Sequence, residues 1–211
     1  MRGVRQDRTD PQLKGKNMAK FKALDPAMEV NGQTVFSVVD WLGIHKKQAY
    51  EILSKNGIDD PQPDKWYSQQ SWLDSFHEIS LILEPDILFK IGQQIPEDAD
   101  WPAQIDTIAK ALASIDVAYH MNHRLQGEIL FDVRTGIMKE GIGHYVFEQI
   151  NPRWARMVCL NPYPCEFDRG LIDATARKFK PMDVGSISII HDETQPCRDK
   201  GGASCTYIIK W

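Results

Sequence analysis

Residues 141–161 read GIGHYVFEQINPRWARMVCLN. The two halves of this stretch, GIGHYVFEQI (141–150) and RWARMVCLN (153–161), have the period of 2 that marks strands. Outward from them the same period recurs in GEILFDVRTG (127–136), GSISIIHD (185–192) and CTYIIKW (205–211), with one helix, RGLIDATARKF (169–179), inserted before the fourth strand. Upstream of residue 125 the period is helical. Val35, Val38, Val39 and Leu42 share one face, Gly43 breaks it, and Ala49, Ile52 and Leu53 resume it until Gly57. SQQSWLDSFHEISLILE (68–84) places Trp72, Phe76, Ile79 and Leu83 at helical spacing, and a short helix is expected in PDILFKIGQQI (85–95). Ile105, Ile108, Leu112, Ile115 and Tyr119 form the stripe of a long helix ending near His123 and Arg124. Helices first and a sheet afterwards predict an α+β fold, an N-terminal helical bundle packed on a C-terminal antiparallel sheet with one late crossover helix.

The chain has 211 residues, enough to bury a sizeable core, and its 42% hydrophobic and 26% charged content is that of a globular protein. We expect a tail over residues 1–27, with Met1 or Met18 as the true start, and one ligand-sensing domain over 28–211. Its helical part covers 28–124 and its sheet part 125–211. No stretch approaches the ~20 apolar residues of a membrane span. The polar N-terminus lacks the apolar core of a secretory signal, so a cytoplasmic location with reduced thiols is expected. The net charge of −4 argues against a general nucleic-acid binder.

All four cysteines lie in the last third. Cys197 and Cys205 bracket the loop CRDKGGASC, and Gly201 with Gly202 lets the backbone fold back between them. Strand alternation puts Cys205, Tyr207, Ile209 and Trp211 on the buried face and Lys210 on the other. Two thiolates so held satisfy half of a tetrahedral zinc shell, with Cys165 as a third ligand. The fourth is open among Glu193, His191, Cys159, water and a small molecule. Cys159, in mid-strand, reads first as a core residue. Against the metal stands the ordinary role of buried cysteine as a small hydrophobe.

His120 and His123 lie three apart on the long helix, with Asp116 one turn before His120. They can share a metal or ligate heme, or they simply complement the helix dipole at its C-terminus. His144 reads as an ordinary strand residue. Thr34–Ile58 resembles a helix-turn-helix that would offer Lys46, Lys47 and Gln48 to DNA, although a solvated charged face explains the lysines equally. For catalysis there is no phosphate-binding glycine loop, GxSxG elbow or HExxH helix. Cys165 beside Glu166 and Asp168 does not read as a nucleophile, because carboxylates raise a thiol pKa.

The order of NGIDDPQPDKWYSQQSWLDSFHEI, the histidine-bearing helix, RTGIMKEGIGHYVFEQI, NPYPCEFDRGLIDATARKF and a last strand ending in tyrosine and tryptophan resembles the heme nitric-oxide-binding and 4-vinyl-reductase superfamily. In its N-terminal half the chain looks like an uncharacterised bacterial branch. The resemblance covers nearly everything after residue 28. It implies a helical bundle on an antiparallel sheet, often a homodimer, with a pocket for a small hydrophobic or aromatic ligand between them. It also implies zinc on a cysteine pair with seven residues between, matched by Cys197 and Cys205, and on an upstream cysteine, matched by Cys165. Glu193 is the nearest counterpart of the family's glutamate, offset by one. Similar N-terminal helices in that branch belong to the domain, which weakens the DNA-binding alternative.

The leading expectation is a small-molecule sensor closed by structural zinc, signalling through protein contacts, with Trp72, Phe76, Tyr119 and Phe147 lining the pocket or core. The alternative is a heme-based nitric-oxide sensor using His120 or His123. An enzyme acting on a vinyl or tetrapyrrole substrate is suggested only by the superfamily's name.

Overall fold

The computed structural model describes residues 19–84 and 86–211. The helical part is β1 (Met28–Asn31), α1 (Gly32–Trp41), α2 (Lys46–Lys55), β2 (Trp66–Ser68), α3 (Gln69–Ile82), α4 (Ile87–Glu97) and α5 (Ile108–Met121). After it come β3 (His123–Leu125), β4 (Glu128–Ile129), β5 (Phe131–Asp132) and β6 (Ile137–Met138). The sheet part is β7 (His144–Asn151), β8 (Trp154–Leu160), α6 (Cys165–Lys178), β9 (Ser188–His191) and β10 (Cys205–Lys210). The α+β class, the antiparallel sheet and the late crossover are as expected. In the main sheet, ordered β7-β8-β10-β9, α6 carries the chain from β8 past β10 to the far edge.

Polar side chains set the helix starts. Asn31, Ser68 and Thr107 each accept a hydrogen bond from a backbone N–H in the first turn of α1, α3 and α5. The Thr107 cap moves the start of α5 to Ile108, so Ile105 lies in the preceding turn and outside the helix. In α6 Glu166 and Asp168 stand in the first turn and Arg177 and Lys178 in the last, the arrangement that suits a helix dipole.

The helical part is not purely helical. Met28–Asn31 pairs with Trp66–Ser68 on one side and His123–Leu125 on the other, in a second sheet ordered β2-β1-β3-β4. These strands have two to four residues, too short for a period of 2 to stand out. GEILFDVRTG is not one strand either, because it divides between β4 and β5 and the latter pairs only with β6. Residues 19–27 are not a tail. The Phe21 N–H donates to Pro162 O at 2.8 Å, its ring stacks on His77 at 4.6 Å, and Gln70 bonds Phe21 O and the Ala23 N–H. The rest of the expected tail, and Met18 as a start, lie outside the described residues.

On the inner face of the main sheet, Tyr145, Cys159 and Cys205 form one row across the strands and Phe147, Met157, Tyr207 and His191 the next. One hydrophobic cluster joins this face to α1 through α6. The tightest helix pair is α4 on α6. A Cβ built at Gly92 would stand 2.1 Å from Phe167 O, and one at Gly170 would stand 2.0 Å from Phe89 O. The two backbones meet where no side chain fits.

Gly170→Ala should therefore lower stability by about 3 kcal/mol or more, the upper end of overpacking costs. Gly185→Ala, where a Cβ meets nothing within 4 Å, should leave the urea midpoint within a few tenths of a molar of the wild-type value. Equal midpoints for the two variants would show that the helices separate freely.

Candidate functional site

Cys165 opens α6, Cys197 precedes the turn Arg198–Lys200, and Cys205 opens β10. Gly201, at φ 81°, ends that turn, and the Gly202 N–H returns to Cys197 O at 2.8 Å. A Cβ at Gly202 would stand 2.8 Å from the Cys197 nitrogen, so the loop closes only with glycine there. The three sulfurs, all buried, lie 3.1 Å (Cys165–Cys205), 3.9 Å (Cys165–Cys197) and 3.9 Å (Cys197–Cys205) apart. None is in a disulfide.

Of the other residues considered as ligands, Cys159 is buried opposite Cys205 across the strands, and burial pushes its thiol well up. Neither it nor Glu193 nor His191 belongs to the group of mutually close ligand atoms, which holds the three cysteines alone. The His191 ring lies 5.1 Å from Tyr207, and its Nε2 is buried without a partner among the described residues. Asp199 was not anticipated. Burial pushes its carboxyl up, but hydrogen bonds from Lys20 and Cys165 outweigh this and hold it below the usual value.

Beside the cysteines sits a buried charge network that the sequence did not reveal. The Arg198 guanidinium donates to the Asp168 carboxylate and to Asn161 O (2.5 Å) and Oδ1, while Tyr145 OH donates to Asp168 at 2.7 Å. Arg198 and Asp168 are both fully buried. Burial pushes Asp168 up against the pull of Arg198 and Tyr145. The Arg198 N–H also meets the Cys205 sulfur at 3.4 Å. Cys165 donates its proton toward Cys205, and that bond together with Arg198 draws the Cys205 thiol well below its ordinary value while Cys165 is pushed up. Beside the fixed Arg198 cation, Cys205 is the thiol of the three most readily deprotonated.

His123 lies in β3, where its Nδ1 meets Tyr119 O at 2.7 Å and its Nε2 meets Tyr163 OH at 3.1 Å. Burial lowers it to about 4, so it is neutral and both its nitrogens are engaged. His120 is also buried, with Nδ1 on Asp116 O at 2.7 Å and Nε2 without a partner among the described residues. His144 is no ordinary strand residue. Its Nδ1 meets Asp116 Oδ2 at 3.1 Å and its Nε2 meets Glu140 Oε2 at 2.7 Å. Burial opposes its charge, but the two carboxylates win and raise it to about 9.

Trp72 and Phe76 stack at 5.2 Å in the core, and Phe76 meets Phe167 and Tyr163 edge-on. Tyr119 packs on Tyr145 and Tyr163 and donates its hydroxyl to Ile142 O at 2.8 Å. Phe147 stands apart from this group, half-buried on the sheet. These rings pack on one another in the interior. Clefts of about 330 and 320 Å³ lie elsewhere, along Trp41, Lys90 and neighbours, and neither is lined by His120 or His123. As packed, His123 has both ring nitrogens engaged and offers heme iron no ligand, and His120 Nε2 is buried. In the helix-turn-helix-like segment, Lys46 pairs with Asp40 and Lys47 with Glu51.

Because His144 is raised above the ordinary 6.5, its ion pairs stabilise the fold fully below about pH 6.5, and that contribution disappears as pH rises through about 9. An NMR titration of the chelator-treated protein should find this imidazole titrating near pH 9, and Asp116→Asn should move it down by at least one unit. A midpoint near 6.5 in the wild type would contradict the bridged geometry.

No protein-family description and no curated protein matches the chain. Solved structures do. The chain is similar to a triple mutant of an H-NOX protein from S. oneidensis in the Fe(II) ligation state, at 18% identity and TM-score 0.60, covering 85% of this chain and 95% of that one. It is similar to an H-NOX protein of that organism in the Fe(II)NO ligation state, at 16% identity and TM-score 0.61, covering 85% and 98%. A point mutant of T. tengcongensis H-NOX matches at 16% identity and TM-score 0.59, covering 85% and 96%. The heme nitric-oxide-binding part of the expected resemblance is the part these neighbours support, and the architecture of this chain is the H-NOX fold.

Proposed function

We propose that this chain is a small-molecule-sensing domain in which a zinc ion on Cys165, Cys197 and Cys205 clasps the last loop and strand to α6. The observation that carries the clasp is the convergence of three buried sulfurs from three separate segments. Tetrahedral zinc with sulfur at ~2.3 Å needs sulfurs ~3.8 Å apart. Two of the three pairs are at 3.9 Å, and the Cys165–Cys205 pair would open from 3.1 Å. Asp199, next in the turn to Arg198, joins Glu193, His191 and water as the candidate fourth ligand. With a protein side chain in the fourth position the role is structural, because an all-protein shell leaves no open position for chemistry.

The proposed ligand site lies among Trp72, Phe76, Tyr119 and Tyr163. Burial pushes the Tyr163 phenol up, while the facing Gln69 and Trp72 side chains work the other way. Yet Gln69 Nε2 and Trp72 Nε1 are buried without a hydrogen-bond partner among the described residues. Leaving such a donor unpaired costs about 1–3 kcal/mol, so an aromatic ligand with one acceptor oxygen suits them once Tyr163 gives way. Phe147 stays outside this group. Signalling then passes through contact with another protein or through a homodimer. The outer face of the main sheet, where Val146, Trp154 and Ile190 are exposed, is the surface proposed for the latter. Light scattering at micromolar concentration should give twice the chain mass.

The second reading, a heme-based nitric-oxide sensor, is the one the neighbours favour, since one of them was solved in an Fe(II)NO state. The packing around His120 and His123 stands against it. Elemental analysis with an absorption spectrum decides between the two. The zinc reading expects one thiolate-bound zinc per chain, lost in Cys197→Ser/Cys205→Ser whatever nitrogen- or oxygen-bound metal the chain retains, and no Soret band after incubation with hemin. A stoichiometric Soret band that disappears in His120→Ala would replace it with the heme reading.

A further inference from the structure

The described residues contain a second group of convergent ligand atoms, with no sulfur among them. Asp116 and His120 lie one turn apart on α5, and His144 opens β7 against them. One ligand atom from each lies within 4.8 Å of the other two. We propose that Asp116, His120 and His144 bind a divalent first-row transition cation, with the remaining coordination positions filled by water.

The argument begins with His120. A carbonyl oxygen only accepts, so the Nδ1 that meets Asp116 O at 2.7 Å carries the ring proton. Nε2 therefore carries the lone pair and is buried with no partner among the described residues, while the ring approaches Asp116 Oδ1 through Nδ1 at 3.6 Å, so it turns about its Cβ–Cγ bond to bring Nε2 to a shared cation. A buried polar atom without a partner calls for an explanation, and a cation acceptor site supplies one. The backbone bond that fixes this tautomer is also the kind that orients metal-binding imidazoles. The ring centroid of His120 lies 5.0 Å from that of His144.

His144 has the complementary arrangement. Its Nε2 faces Glu140 Oε2 at 2.7 Å, which is the outer carboxylate of a carboxylate–histidine–metal relay. Its Nδ1 faces the Asp116 carboxylate at 3.1 and 3.3 Å, the edge where a cation would enter between nitrogen and oxygen. Asp116 is steadied by the Tyr145 N–H at 2.9 Å on Oδ1. Two carboxylates surround a pair of imidazoles, so once His144 gives up its Nδ1 proton the group takes a double positive charge without leaving an excess. Imidazole with carboxylate suits zinc, cobalt, nickel or iron better than calcium or magnesium. The Asp116 side chain remains 21% exposed and that of His144 13%, which leaves a solvent side for water ligands. Glu140 is the positioning residue of the set.

This site is independent of the cysteine clasp, and cobalt(II) tells them apart, since thiolate ligation gives an intense near-ultraviolet charge-transfer band and nitrogen–oxygen ligation does not. Full-length chelator-treated protein is titrated with cobalt(II). One equivalent is expected to bind without a thiolate band, to be lost in His120→Ala and in His144→Ala, and to bind at least ten-fold more weakly in Asp116→Asn. The thiolate-banded equivalent should persist in all three variants, and its failure to appear would overturn the clasp alone. Should a variant fail to fold, zinc(II) titration of the wild type followed on the histidine ring resonances serves instead, with shifts expected for His120 and His144. The inference is overturned by a thiolate-free equivalent that survives both histidine substitutions, by uptake confined to the thiolates, by no uptake, or by unmoved His120 and His144 signals.

Discussion

The ion pair between Arg198 and Asp168 is the constraint on which the C-terminal half depends. Both side chains are fully buried, and a buried charge is tolerable only when paired and hydrogen-bonded. Removal of either partner strands the other at a cost of about 3–5 kcal/mol. The partners come from distant segments. Asp168 is in the first turn of α6, Asn161 is in the loop before it, Tyr145 is on β7, and Arg198 follows Cys197 directly. Four pieces of chain must therefore be in register before the charges are satisfied. Such a network secures uniqueness of arrangement more than net stability.

The cysteine geometry follows from that register. With Arg198 fixed, Cys197 has little freedom, and Cys165 is three residues ahead of Asp168 on the same helix turn. Tyr207 OH donates to Cys165 O at 2.6 Å and ties the helix start to β10, whose first residue is Cys205. The thiols are thus assembled by hydrogen bonds that involve no metal. A site built this way pays little ordering cost on binding. The guanidinium next to it supplies the positive field that favours a thiolate at Cys205.

Strand phase in Cys205–Lys210 could be read from sequence because one charged residue, Lys210, fixes which face is wet. The α+β order was legible for a similar reason, since long stripes such as Ile108, Leu112, Ile115 and Tyr119 admit only a helix. The small strands around Met28, Trp66 and His123 carry no such signal, because two to four residues do not establish a period and their pairing is long-range. The partner of a buried charge is also invisible in one sequence. Arg198 reads as a loop cation and Asp168 as a helix-start carboxylate, and each residue type is ordinary in its local place. His144 was misread for the same reason, because its carboxylates come from α5 and from the β6–β7 connection, 28 and 4 residues away.

A fold shared with H-NOX structures leaves chemistry to the side chains, since one architecture hosts many functions. In this chain the two charged groups are not separate. Tyr145 donates its backbone N–H to Asp116 and its hydroxyl to Asp168, so one residue touches the histidine cluster at one end and the arginine network at the other. Its ring is held edge-on against Tyr119 at 5.3 Å, which leaves it little room to absorb a displacement. The residue that bonds Asp116 also bonds Asp168, and Asp168 in turn positions Arg198 beside the thiols. Tyr145 is therefore the single residue through which the two groups touch, and a coupling carried by it would be reciprocal.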